Sequence, residues 1–225
     1  KTAPLLAVLI DGDNTSANDA SVILEEIAGI GEASVRRCYG DFSSPHLAGW
    51  SKVQAELGLV PHHQPANTIG KNASDIALVI DAMDLMHSAR FDGFVLVSSD
   101  SDFTRLASRL REQGLDVYGI GRRTTPDAFR KACKRFIFVE NLKKSSEDAG
   151  STSGDVTPND PPSKATQLIR TAMDTIDPDA TWIALGSLGH QINAAKSDFD
   201  PRNYGCKNLS TLVKTAGQFE VKEID

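Results

Sequence analysis

The stretches Ala7-Val8-Leu9-Ile10-Asp11-Gly12-Asp13-Asn14 and Phe94-Val95-Leu96-Val97-Ser98-Ser99-Asp100-Ser101-Asp102 decide how this chain is read. Each is a short apolar run with the composition of a fully buried strand, and each ends at paired aspartates, the first directly and the second after Ser98-Ser99. Two unit negative charges about 4 Å apart repel by roughly 4 kcal/mol at an effective dielectric near 20. Carboxylates gathered at one sheet edge therefore require protons or a cation. The two stretches point to a divalent-metal site, and through it to phosphate chemistry.

Outward from these runs, short apolar segments alternate with amphipathic ones. Strands are expected near residues 4–10, 34–39, 58–63, 93–98, 115–120 and 136–139, and helices near 18–29, 46–57, 74–89, 102–113 and 126–134. Repeated strand–helix units of this kind give an α/β fold, a mostly parallel sheet with helices on both faces. Asn18 or Asp19 suits the cap of the first helix, and Gly58 and Gly114 sit where helices should stop.

Ligands of an open doubly wound sheet bind beyond the carboxyl ends of its strands, at the crevice where strand order reverses. With order 3-2-1-4-5, Asp11 and Asp13 from the first strand meet Asp100 and Asp102 from the fourth. Asp75, in Gly70-Lys71-Asn72-Ala73-Ser74-Asp75-Ile76, adds a carboxylate from the first turn of the next helix, where the macrodipole favours an anion. Ile76, Val79, Ile80 and Met83 are the expected buried stripe of that helix. Asp81 and Asp84, about 240° and 180° around from Asp75, are expected to serve elsewhere. Taken singly, Asp13 and Asp102 also suit turn or cap positions. Hard oxygen donors without a Cys or His cluster select magnesium or manganese over zinc. Such ions polarise a phosphoryl oxygen and lower the pKa of a bound water, so phosphoester hydrolysis is the natural reaction class.

The chain has 225 residues, of which 40% are apolar, enough for one sizeable domain and a small one. Its net charge of −6 divides into −3 over residues 1–142, −2 over 143–162 and −1 over 163–225, so bulk charge does not advertise a polyanionic partner. Cys38, Cys133 and Cys206 are widely spaced, which argues against a disulfide framework or a zinc site and suits a reducing compartment. With no membrane-length apolar run and no signal-peptide pattern, the expected location is cytoplasmic. Lys143–Pro162 is rich in Ser, Gly, Pro and acid, and reads as a flexible linker. Three domain segments follow: 1–142, the linker 143–162, and a helix-rich domain at 163–225. In the last, helices are expected at Ala165–Ile176, Leu185–Ala195 and Leu209–Ala216, with an edge strand from Phe219 to Ile224.

Leu9–Asn14 (LIDGDN), Gly70–Met86 (GKNASDIALVIDAMDLM) and Ser98–Gly121 (SSDSDFTRLASRLREQGLDVYGIG) together resemble the NYN family of PIN-like nucleases, in particular its LabA-like bacterial branch. The likeness covers about residues 5–142. It implies a Rossmann-like PIN-type fold and a metal-dependent ribonuclease acting on RNA, with Asp11, Asp75, Asp100 and Asp102 as metal-site acids. It also implies that Asn14 and Ser99 position ligands or phosphate, with Asp13 in a secondary place at the metal. Trp182–Gly189, Asp198–Gly205 (DFDPRNYG) and Leu209–Val213 resemble the LOTUS domain, also called OST-HTH, over about residues 165–224. That resemblance implies a winged-helix-like module associated with RNA or with protein partners. Arg202, Tyr204 and Lys207 are its candidate contacts.

Further candidates come from charge placement. Nine basic residues lie between Arg105 and Arg135 against three acids. Arg122 and Arg123 follow the fifth strand on the carboxylate edge and are the best phosphate-binding candidates. Lys71 is a candidate to neutralise an acid or touch phosphate, and His62-His63 to reach substrate. Trp50 is expected to pack, and Trp182 to lie in the small core. Two readings compete with a ribonuclease. Asp11-Gly12-Asp13-Asn14-Thr15 also resembles the DxDxT motif of haloacid-dehalogenase-type phosphatases, with Asp11 as nucleophile. The other is a non-catalytic RNA- or protein-binding regulatory module.

Overall fold

The computed structural model describes residues 3–65, 72–147 and 159–222. The chain divides into two compact units, Lys1–Ala149 and Gly150–Asp225.

The first unit contains strands β1 (Leu5–Asp11), β2 (Glu32–Gly40), β3 (Val60–His63), β4 (Gly93–Val97), β5 (Asp116–Gly121) and β6 (Arg135–Phe138). They form one parallel sheet in the order β3-β2-β1-β4-β5-β6. Five helices connect them: α1 (Ala20–Ala28), α2 (Ala48–Leu57), α3 (Ala73–His87), α4 (Thr104–Glu112) and α5 (Asp127–Ala132), and α6 (Val139–Glu147) follows β6. Alternation along β1 builds two cores. Leu6, Val8 and Ile10 pack with Ile23, Ile27 and Trp50, whereas Ala7 and Leu9 pack with Leu78, Ala82, Phe103 and Leu106 on the opposite face. Asp11 continues the Ala7–Leu9 series and so points to the α3 side. Both faces of β1 and β4 are covered, which is why these strands read as unbroken apolar runs.

Several local expectations change. The buried residues of α3 are Leu78, Ala82 and Met86, whereas Ile76 and Ile80 are 60% and 55% exposed. The helix is apolar nearly all round, so periodicity alone did not orient it; the sheet took the row of residues four apart that begins at Leu78. Ser16 caps the 3-10 turn before α1 by accepting from Asn18 N–H, while Asp19 is buried and pairs with Lys143 at 2.8 Å. Helix α6 carries the chain beyond residue 142, because Val139 and Leu142 bury against the α1 side of the sheet; the segment expected to be flexible from 143 is helical through Glu147. Gly58 (φ 63°) terminates α2 and Gly114 (φ 81°) follows α4, both in the left-handed region expected of helix ends.

The second unit contains α7 (Thr166–Ile176), α8 (Leu185–Ala195) and α9 (Leu209–Thr215), with a 3-10 turn at Pro201–Tyr204. Ile169, Leu188, Ile192, Phe199, Tyr204 and Leu212 form its core. Residues 219–222 form no strand; Phe219 and Val221 pack on this core instead, and the remainder of the expected edge strand lies outside the described residues. Trp182 is 46% exposed beneath the Lys222 ammonium rather than buried. Tyr204 is buried and Arg202 is held by Asp200, which leaves Lys207 exposed among the three expected contacts.

Candidate functional site

β1 and β4 lie side by side, with Ile10 in register with Val97, so their carboxyl ends deliver Asp11 and the Ser98–Asp102 segment to one place. Asp11 is 1% exposed. Its Oδ2 accepts from Ser98 Oγ (2.6 Å) and Asn14 Nδ2 (2.9 Å), and its Oδ1 accepts from Asn14 N–H (3.2 Å). Ser98 Oγ also accepts from Asp100 N–H at 3.0 Å, linking the two strand ends. Asp100 Oδ1 in turn accepts from Asp102 N–H at 2.9 Å and caps the turn that opens α4.

The start of α3 closes over this edge. Ser74 Oγ donates to Asp13 Oδ2 (2.5 Å) and Asn72 Nδ2 to Asp102 Oδ2 (3.4 Å), so residues beside Asp75 reach both strand ends. The carboxyl of Asp75 is pushed up to about 6, first by burial and then by the negative charges of Asp11, Asp100, Asp13 and Asp102. Burial also raises Asp11, against the hydrogen bonds from Ser98 and Asn14 that favour its anion. Among the described residues none of the five acids forms an ion pair with a basic side chain.

The five acids thus share one field. Among the described residues no group of three or more His, Cys, Asp or Glu side chains is already placed to hold a metal ion. An all-oxygen set of this kind fits magnesium or manganese, which are held by one or two carboxylates with waters and substrate phosphate completing the shell. Ser98, Asn72 and Ser74, which orient the acids, were not singled out from sequence; a serine beside an aspartate is too common a pair for its hydrogen bond to be read without the fold.

Arg122 is exposed, its N–H donates to Ser99 Oγ at 2.9 Å, and it lines an open cleft of about 370 Å³ with Asn14, Ser99, Asp100 and Thr124. Arg123 departs from expectation. Its N–H donates to Glu140 Oε1 (3.0 Å), its guanidinium to Asn141 Oδ1 (2.8 Å), and it lies over the Phe138 ring at 5.1 Å. It anchors the start of α6 and does not face the cleft. Of the remaining basic cluster, Arg109, Arg130, Lys131 and Lys134 are engaged with Glu112, Asp127, Asp127 and Asp116 respectively. Lys71 lies outside the described residues. Asp81 serves elsewhere, as expected: its Oδ2 accepts from Arg37 Nη1 (2.8 Å) and Tyr39 Oη (2.7 Å) and lies 3.2 Å from His62 Nδ1.

A family model for the NYN domain matches residues 5–141, the unit that carries this site. The chain belongs to the NYN domain family. The match is to the NYN domain as a whole and does not single out the LabA-like branch. NYN domains are PIN-like nucleases, and a second match, to the OST-HTH/LOTUS domain, covers residues 157–225. Among solved structures, a protein of unknown function from Vibrio parahaemolyticus superposes with a TM-score of 0.54 at 17% identity, covering 63% of this chain and 96% of that one. That likeness supports the fold of the NYN unit. No curated protein matches the chain. Among the described residues no helix is long and apolar enough to cross a membrane.

Proposed function

We propose that this NYN domain is a divalent-metal-dependent ribonuclease that hydrolyses RNA phosphodiesters at the β1–β4 edge. The OST-HTH domain is its accessory module for RNA or for a protein partner. The observation that carries the reading is the position of Asp75: half-buried among four other carboxylates, raised to about 6, and without a compensating cation among the described residues.

Asp11, Asp75, Asp100 and Asp102 are the residues that would hold magnesium or manganese, with Asp13 at the rim. Bound there, the ion supplies neutralisation of the scissile phosphate and a lowered pKa for the attacking water. Asp11 is held in one orientation by Ser98 and Asn14, so little rearrangement is needed to present it. Asn14, Ser99 and Arg122 line the adjoining cleft, where donor groups and a guanidinium suit a phosphodiester oxygen. The exposed Arg122 supplies positive charge to a domain whose overall charge is negative.

The phosphatase reading fits less well. Helix α1 begins at Ala20, which leaves no room for a flap motif after the first strand.

The deciding experiment incubates the full chain with single-stranded and structured RNAs in magnesium or manganese. Cleavage is expected, EDTA abolishes it, and Asp100→Asn abolishes it without altering the circular dichroism melt. An inactive wild-type protein with both metals on both RNA classes sinks the catalytic reading, and tight metal-independent RNA binding would then make the chain a binding module.

A further inference from the structure

Asp11, Tyr39 and His62 stand in register across β1, β2 and β3. Register partners on neighbouring parallel strands project to the same sheet face, here the face that α3 covers. The His62 ring lies against Tyr39, with centroids 4.9 Å apart, and its Nδ1 faces the Asp81 carboxylate at 3.2 Å. That carboxylate already takes hydrogen bonds from Arg37 and Tyr39, so its charge is balanced without a histidine cation. Partial burial lowers the His62 pKa, with Asp81 opposing and Arg37 reinforcing the shift. A neutral ring keeps its proton on the nitrogen nearer the carboxylate, Nδ1, which leaves Nε2 as an acceptor. The side chain is 29% exposed, at the same sheet edge as the acids. His63 differs, because its Nδ1 accepts from Phe42 N–H at 3.2 Å.

We propose that His62 is a substrate-contacting residue that accepts a hydrogen bond from the ribose 2′-hydroxyl of a nucleotide next to the scissile phosphate, and so favours RNA over DNA. Two strand spacings place His62 roughly 10 Å from Asp11, within reach of an adjoining nucleotide. Phosphate oxygens only accept, so they offer a neutral imidazole acceptor nothing. The 2′-hydroxyl is the backbone donor that RNA carries and DNA lacks. Asp81, with Arg37 and Tyr39 behind it, is the positioning residue that holds the ring. The inference rests on the ribonuclease reading for its substrate class, but its test does not require cleavage.

The experiment measures binding of a short RNA and of the DNA of the same sequence to the full chain by fluorescence anisotropy, with calcium replacing magnesium. His62→Phe keeps a ring against Tyr39 and removes both nitrogens, and His62→Gln restores an acceptor. Wild type is expected to prefer RNA. His62→Phe is expected to weaken RNA binding about three- to tenfold, the scale of one hydrogen bond, and to leave DNA binding unchanged. His62→Gln is expected to recover part of the loss. Absence of an RNA preference in the wild type, an equal loss on RNA and DNA, or unchanged RNA binding overturns the assignment. If His62→Phe does not fold, His62→Gln against wild type decides it: a loss on DNA equal to that on RNA is the overturning result. Selective RNA binding without cleavage in magnesium or manganese would sink the ribonuclease reading and leave His62 as the 2′-hydroxyl contact of an RNA-binding site.

Discussion

Asp75 and Asp81 stand on the same helix and face the same sheet, yet their surroundings are opposite. Asp81 is met by a guanidinium, a phenol and an imidazole, so the fold supplies everything its charge needs. Asp75 is met by four carboxylates, which raise its pKa to about 6. An acid that the protein compensates is part of the structure, whereas one that it surrounds with like charge waits for a ligand from outside. α3 carries both, pinned to β2 and β3 through Asp81 while its first turn overhangs the carboxylate edge.

The sharpest way to break this contrast is to neutralise each acid in turn. Asp75→Asn is expected to lower metal-dependent RNA cleavage at least about 100-fold, the scale of a lost transition-state electrostatic group, while raising the melting temperature of the metal-free protein. Asp81→Ala is expected to do the reverse. Arg37 and Tyr39 lose their acceptor, stability falls by about 2 kcal/mol in urea titration, and cleavage per folded molecule stays within about tenfold. If both variants behave alike, the division between a structural and a functional acid is wrong.

The second test uses pH. Folding raises the Asp75 carboxyl from 3.8 to about 6, so between those values the metal-free folded protein binds more protons than the unfolded chain. Stability therefore falls as pH rises through that window, by on the order of 1–2 kcal/mol once solvent screening is allowed for. Melts in EDTA from pH 4 to 7 should show this slope, Asp75→Asn should reduce it to the part that the raised Asp11 contributes, and saturating magnesium should flatten it.

Ser98→Ala removes the donor that fixes Asp11 and the acceptor for Asp100 N–H, and is expected to reduce cleavage about tenfold with KM little changed. The smallest effects separate the paired arginines. Arg122→Ala should weaken RNA binding a few-fold and shallow its salt dependence, whereas Arg123→Ala should leave RNA binding unchanged and lower the melting temperature. Equal losses of RNA affinity in the two would return Arg123 to the cleft.

Much of this edge was legible in the chain. Buried parallel strands must be continuously apolar, so β1 and β4 declare themselves, and the rule that sites lie at the switch point put Asp11 and Asp100 together. The start of α3 was legible too, because Asp75 stands in the first turn of a long apolar run. Its rotation was not: with apolar residues on most sides, only packing chose Leu78, Ala82 and Met86 over Ile76 and Ile80. Arg122 and Arg123 look equivalent in sequence, and β6 with α6 separates them by offering Phe138, Glu140 and Asn141 to the second alone.

The sequence by itself determined the parallel sheet, the acids at its edge and the small helical domain that follows, because these follow from periodicity, composition and chain order. Tertiary structure alone decided which acids are compensated, which arginine stays at the cleft and that His62 joins the row of Asp11. Those outcomes depend on side chains brought together from distant segments: Arg37, His62 and Asp81 come from three elements, and no local pattern encodes their meeting.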